Sequence, residues 1–297
     1  MKTHLDCIPC FFKQALVAAR HAGANAKQQK EILDNLAKLI PSFSLSTTPP
    51  EMAKSVYALV NEAMGTKDIY ATIKYNSNQL ALNIAENLQT KITNSKDSLL
   101  TAVELAIAGN IIDYGAKMNL NVDTEIAKIL SEENKSIKKS KSLHFDYTEF
   151  KNNLVKAKNI LYLADNAGEV VFDRLLITEI KRLYPKIKIT YAVKSKPIIN
   201  DALLEDAIQC GIDKVATIIS SGSDAAGTVL KLCSQEFLTL FNKADMVISK
   251  GQGNFEALSE AKRSIAFLFK IKCPVIAKEI NSKLGDVILL YNNQIAY

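Results

Sequence analysis

Ile160-Leu161-Tyr162-Leu163-Ala164-Asp165-Asn166-Ala167-Gly168-Glu169 decides how this chain reads. Five apolar residues closed by turn formers make a short buried strand. An acid, an amide and a glycine follow, and residues 170–183 continue with helical periodicity. Strand, polar turn, helix is the order in which α/β proteins build sites, at the carboxyl ends of their strands. A carboxylate beside an amide oxygen is a hard-oxygen pair, suited to Mg²⁺ or Mn²⁺ rather than to zinc.

The pattern recurs downstream. Residues 187–193 form a second β-like run, followed by Lys194, Pro197 and Asn200-Asp201. Residues 215–220 form a third, ending in Ser221-Gly222-Ser223-Asp224. Residues 245–249 form a fourth, ending in Lys250-Gly251-Gln252-Gly253-Asn254-Phe255-Glu256. Helix-like segments between the runs imply parallel connections, so all four turns fall on one edge of the sheet. That edge gathers Asp165, Asn166, Asn200 and Asp201 with Lys194, Lys250, Gly251 and Asn254. Acids suit a cation, and lysines with glycine amides suit an anion, which together describe a metal-phosphate site. Each motif alone has a plainer meaning: Asp-Asn-Ala-Gly as a turn, Asn200-Asp201 as a cap for a helix over 202–210. The Gly251-Gln252-Gly253 turn lacks the Gly-Lys-Ser/Thr ending of a P-loop, and no G-x-G-x-x-G follows the first strand. The joint placement at successive strand ends is what points to a site.

These segments resemble the damage-control phosphatase family, formerly the domain of unknown function eighty-nine. The resemblance lies in Asp165-Asn166-Ala167-Gly168-Glu169, in 194–201, and in Lys250 to Glu256. It extends to Cys7-Ile8-Pro9-Cys10, 70–78 and Ala108-Gly109-Asn110-Ile111-Ile112-Asp113, the pattern of the prokaryotic branch, and runs from about residue 4 to about residue 290. It implies a divalent cation (Mn²⁺ or Mg²⁺, with Co²⁺ and Ni²⁺ as further candidates) on Asp165, Asn166 and Asp201, and Lys250 near the substrate phosphate. Ser220 to Asp224 departs from the expected Asn-Gly turn.

Residues 1–142 read as a helical domain and 143–297 as an α/β domain of three layers, α/β/α, with the boundary in the Ser/Lys-rich stretch 131–142. Helices are expected over 10–22, 27–40 (stopping before Pro41), 51–64 (opened by Thr48-Pro49-Pro50-Glu51), 70–90 and 99–114. Further strands are expected at 275–277 and 287–291. Asn110 and Asp113, three apart, share a helix face. They either edge a tight helix pair allowed by Gly109 or, as the resemblance favours, lie over the substrate. Such an arrangement closes a cleft between domains, a usual place for small ligands.

His4-x-x-Cys7-x-x-Cys10 stays open between a structural pair, a zinc site with Cys273 as a distant fourth ligand, and a redox pair whose first thiol has a lowered pKa. His21 and His144 read as ordinary residues. With 48% hydrophobic and 23% charged residues, the composition is that of a globular protein. There is no apolar stretch of spanning length, the first residues read as an amphipathic helix rather than a signal peptide, and five cysteines suit a reducing compartment. A cytoplasmic location without membrane partners is expected. The net charge of +6 includes Lys135, Lys138, Lys139 and Lys141, which read as a solvated linker and not as a nucleic-acid surface. Oligomeric state is not legible.

The expected activity is hydrolysis of small phosphorylated metabolites, sugar phosphates or damaged phosphometabolites. The cation would polarise the phosphoryl group, Lys250 and glycine amides would neutralise its oxygens, and Glu169 would orient a water. Water is the favoured nucleophile, with Asp165 as the alternative. Two rivals are an S-adenosylmethionine-dependent carboxyl methyltransferase, disfavoured by the missing glycine-rich loop, and a non-catalytic metabolite-binding protein.

Overall fold

The computed structural model describes residues 1–109 and 144–292. Its centre is a six-stranded sheet in the order β3-β2-β1-β4-β5-β6, formed by β1 (Asn159–Leu163), β2 (Lys188–Val193), β3 (Thr217–Ser220), β4 (Met246–Lys250), β5 (Ala266–Lys270) and β6 (Val287–Tyr291). The first five run parallel and β6 pairs antiparallel with β5. β1 and β4 are buried on both faces, as parallel strands covered by helices must be. The order reverses between β1 and β4. This is the point where an open α/β sheet leaves a crevice at its carboxyl edge.

Helices α1 (Cys7–His21), α2 (Ala26–Leu39) and α3 (Pro49–Met64) pack around Phe11, Ile32, Leu36, Val56 and Val60. Their ends follow local chemistry. Asn25 and Gln28 form a reciprocal cap at the start of α2. Prolines open α3, and Gly65 ends it in the left-handed conformation. Helices α4 (Ala71–Thr93), α5 (Ser98–Ala108), α6 (Tyr147–Lys156) and α7 (Glu169–Leu183) contribute to one continuous core with the β1, β2 and β4 residues Ile160, Tyr162, Tyr191 and Ile248. On the other face, α9 (Gln235–Lys243), α10 (Gln252–Leu258) and α11 (Pro274–Glu279) bury Phe237, Phe255 and Ile276 against Leu161, Leu163 and Phe267. Between β2 and β3 lies the short α8 (Leu204–Gln209). The three-layer α/β/α reading therefore holds.

Two expectations change. Residues 275–277 lie in α11, where Pro274 sits in the first turn of a helix, and the fifth strand is instead Ala266–Lys270. Ala266-Phe267-Leu268-Phe269 is a short apolar run that periodicity alone does not distinguish from buried helix. Asn200 and Asp201 do not cap α8, whose N-cap is Leu203. At Gly109 a Cβ would sit 2.8 Å from the Phe172 ring of α7. Asn110, Asp113, the lysine-rich stretch and the proposed 142/143 boundary lie outside the described residues. No helix among those described is long and apolar enough to cross a membrane.

Candidate active site

The turns after β1 and β2 are joined by backbone hydrogen bonds. Ala202 N donates to Asp165 O at 2.8 Å, Ala167 N to Asn200 O at 2.8 Å, and Lys194 N to Ala202 O at 3.0 Å. Asn166 and Asp201 thereby pair as an isolated antiparallel bridge. Asp165, Asn166 and Asp201 are brought together by main chain rather than by flexible side-chain contacts. Getting there strains the β2 turn: Ile199, a β-branched residue, has φ of 46°. Ile198 is seated in the α1–α3 core, which holds that conformation in place.

The turn after β4 closes the crevice from the other side. Gly251 has φ of 81° and ψ of 159°, and a Cβ there would lie 1.9 Å from Asp165 Oδ2. The Asp165 carboxylate therefore rests directly on the Gly251 backbone, a position that only glycine leaves open. Gly227, in the loop after β3, also packs closely on the Gly253 carbonyl, where a Cβ would lie 2.3 Å from the oxygen. Ser195 Oγ donates to Gly222 O at 3.0 Å. The serine-rich turn after β3 is thus a brace between the other two, and Asp224 pairs with Lys54 of α3 at 2.7 Å.

Helix α4 reaches the same turns. Asn78, fully buried, accepts from Gly168 N at 2.7 Å and donates to Asp206 Oδ1 at 2.8 Å. Asp206 Oδ2 in turn accepts from Leu203 N at 2.9 Å. One amide of the helical half therefore ties the segment behind Asp165-Asn166 to the segment behind Asp201. Lys74, one turn earlier, pairs with Asp68 at 2.8 Å and lies 3.7 Å from Asp206. From α3, Tyr57 faces the same region. Burial first, then Tyr70 and the Asp201 charge, hold its phenol well above its ordinary pKa.

The electrostatics are those of crowded acids. Burial, then the charges of Glu169 and Asp201, push the Asp165 carboxyl well above the usual carboxylate range, against Lys272 and Lys250. Burial also raises Glu169, opposed by Lys250 and Lys272. Asp201 Oδ2 lies 3.5 Å from Lys194 Nζ. A divalent ion among Asp165, Asn166 and Asp201 would relieve this crowding, and hard oxygens are the donors such an ion takes. The residues present fit the group.

Four residues expected at the phosphate, Lys250, Asn254, Lys194 and Asn200, are buried. Lys250 is 1% exposed, and its Nζ meets Asp173 Oδ1 at 2.8 Å and Glu169 Oε2 at 3.2 Å, beneath the acids instead of facing the crevice. Burial would depress its pKa, but Asp173, Glu169 and Asp165 hold it above its ordinary value. Asn254 is fully buried. Its amide nitrogen donates to Ala164 O at 2.9 Å and Lys250 O at 2.8 Å, and its oxygen accepts from Thr228 Oγ1 at 2.8 Å. It braces the β4 turn. Lys194 and Asn200 are buried in the β2 turn. The exposed cation is one the sequence reading missed. Lys272, just past β5, is exposed, and its charge acts on both Asp165 and Glu169. The signal was a lysine after a strand end, hidden because β5 itself went unrecognised.

Among the described residues no group of three His, Cys, Asp or Glu side chains is placed to hold an ion. His4 Nε2 lies 3.6 Å from Glu279, and exposed Cys10 accepts from Gln14 Nε2 at 3.2 Å. Burial raises the Cys7 thiol, the opposite of the activated thiol a redox pair needs. A cavity of about 780 Å³ opens at the other edge of the sheet, beside the first residues of β1, β2 and β3, away from the acids.

The chain matches the damage-control phosphatase ARMT1-like domain over residues 3–288. It is 34% identical to a damage-control phosphatase of Pyrococcus horikoshii, covering 98% of this chain and 99% of the relative. It is 31% identical to a damage-control phosphatase of Archaeoglobus fulgidus, covering 97% and 98%. An uncharacterized protein of Methanocaldococcus jannaschii is 36% identical over 98% of this chain and 95% of its own length. The crystal structure of a DUF89 family protein from Pyrococcus horikoshii superposes with a TM-score of 0.88 at 32% identity, covering 98% and 99%. The chain belongs to the damage-control phosphatase ARMT1-like domain family.

Proposed function

We propose that this chain is a phosphatase of small phosphorylated metabolites, damaged ones included, that works with a divalent cation held by Asp165, Asn166 and Asp201. The observation that carries the reading is the junction of three strand-end turns, in which Asp165 rests on Gly251 while Asn166 pairs with Asp201. The two relatives named as damage-control phosphatases support the reaction class.

The cation, when bound, supplies Lewis-acid polarisation of a phosphoryl oxygen and lowers the pKa of a bound water. The protein does the rest. The zipped β1 and β2 turns hold the backbone of the three donor residues in place before substrate arrives, which limits reorganisation during the reaction. Lys272, exposed at the end of β5, brings positive charge to the phosphoryl oxygens as negative charge spreads in the transition state. Glu169 is engaged with Asn166 and Lys250, which makes it a support for the donor set instead of a mobile base. Asp165 is committed to the Gly251 surface and to Asn166 Nδ2 at 3.0 Å, which favours water over Asp165 as nucleophile. The helical half, through Tyr57 and Tyr70, forms the wall that selects the metabolite.

A phosphate-release screen tests this. Chelated protein is assayed over phosphosugars and other phosphometabolites, then with Mg²⁺, Mn²⁺, Co²⁺ or Ni²⁺ restored singly. Release that depends on an added cation and is lost in Asp201→Asn is expected. Release indifferent to chelation and to Asp201→Asn would refute the reading.

A further inference from the structure

We propose that Asp173 is a positioning residue for the ion site: with Tyr162, Tyr191 and Lys250 it holds Glu169 in the one place where Glu169 fixes the Asn166 amide with its oxygen left for the ion. This rests on the reading that Asp165, Asn166 and Asp201 hold the cation.

The chain of contacts runs from the core of the sheet to the turn. Tyr162 on β1 and Tyr191 on β2 are partners in register, with rings stacked at 5.3 Å between centroids. Their hydroxyls donate to different oxygens of Asp173, Tyr162 to Oδ1 and Tyr191 to Oδ2, each at 2.7 Å. That two-point grip leaves the carboxylate no rotational freedom. Lys250 Nζ bridges Asp173 Oδ1 at 2.8 Å and Glu169 Oε2 at 3.2 Å. Glu169 Oε1 accepts from Asn166 Nδ2 at 3.0 Å, and the same nitrogen donates to Asp165 Oδ2 at 3.0 Å. In this arrangement the Asn166 NH₂ serves both acids at once, one hydrogen to each. The Asn166 oxygen is thereby turned to the remaining side. Glu169 and Asp173 are spaced i, i+4 on α7, so both face the sheet together.

Burying two acids and a lysine is costly, and an apolar replacement of similar volume is often no less stable. The grip on Glu169 is what an apolar replacement could not supply. Loss of the Asp173 charge leaves Lys250 with Glu169 as its principal counter-ion. Glu169 is then drawn toward Lys250 and away from Asn166, and the amide can turn.

The test is Mn²⁺ binding to the full chain, followed by the electron paramagnetic resonance signal of free Mn²⁺, with thermal unfolding of each metal-free variant recorded beside it. Asp173→Asn should weaken Mn²⁺ about 10–100-fold, the usual effect of losing an outer support of a metal ligand. A purely structural Asp173 would lower the melting temperature and leave the affinity of the folded protein unchanged. Affinity within about twofold of wild type in folded Asp173→Asn overturns the proposal. If Asp173→Asn does not fold, Tyr162→Phe with Tyr191→Phe decides. That pair keeps every charge and nearly all the volume, and it should still weaken Mn²⁺ several-fold. Unchanged affinity there overturns the proposal equally. Asp201→Asn separates the two levels: if it binds Mn²⁺ as wild type does, or wild type binds none, the ion site itself is refuted.

Discussion

Replacing Gly251 by alanine probes the contact that defines the site. The new Cβ would lie 1.9 Å from Asp165 Oδ2 and 2.0 Å from its Cγ, where ordinary contact begins near 3.4 Å. The carboxylate must therefore retreat by more than 1 Å, because the glycine is held from behind. Gly251 N donates to Leu268 O at 3.0 Å, and Asn254 bonds the preceding carbonyl of Lys250 at 2.8 Å. The backbone conformation is also one that essentially only glycine adopts, so strain and overpacking together should cost about 2–5 kcal/mol of stability. A catalytic geometry displaced by about 1 Å loses on the order of 10²-fold in rate. The assay is threefold: thermal unfolding, Mn²⁺ affinity, and kcat/KM on the best substrate of the phosphate-release screen. Gly65→Ala is the control. Gly65 has φ of 63° with nothing within 4 Å of its Cβ position, so it carries the backbone cost, about 1–2 kcal/mol, without touching the site. Wild-type Mn²⁺ affinity and rate in Gly251→Ala would refute the assignment of Asp165 as an ion ligand.

Asn78→Ala removes the acceptor for Gly168 N and the donor to Asp206, and should cost about 1–3 kcal/mol for each buried group left without its partner. Thermal unfolding and Mn²⁺ titration together check it, and affinity should fall along with stability. Lys272→Ala should lose on the order of 2–4 kcal/mol of transition-state stabilisation, read from kcat/KM. Glu104 has its pKa raised from 4.5 to about 7 by burial and by Asp97. A carboxyl raised on folding contributes stability that is complete below its unfolded pKa and is lost as pH rises through about 7. Glu104→Gln should therefore melt higher than wild type at pH 8 and show no such advantage at pH 4.

The four strands that carry the motifs were legible because each is a short apolar run ending in turn-forming residues, and the sites expected after β1 and β2 do meet at one edge. β5 was not legible, since four apolar residues without alternation fit a buried helix as well as a strand. With it went Lys272. The direction of Lys250 was beyond sequence reasoning for a different reason. Its position at a strand end is local, but whether the ammonium faces the crevice or the core depends on Asp173 and Glu169. Two acids at i, i+4 facing the sheet, and tyrosines at matching positions in two apolar strands, were the available hints of that buried network. The bracing role of Asn254 depends on Thr228 and Ala164, distant in sequence, and has no local signature.

Anomalous scattering at the manganese edge, from crystals of chelated protein soaked in Mn²⁺, locates the ion itself. A peak is expected bounded by the Asp165 carboxylate, the Asn166 side-chain oxygen and the Asp201 carboxylate, absent in Asp201→Asn crystals treated alike. A peak elsewhere on the molecule, or none at Mn²⁺ concentrations that sustain phosphate release, would contradict that placement.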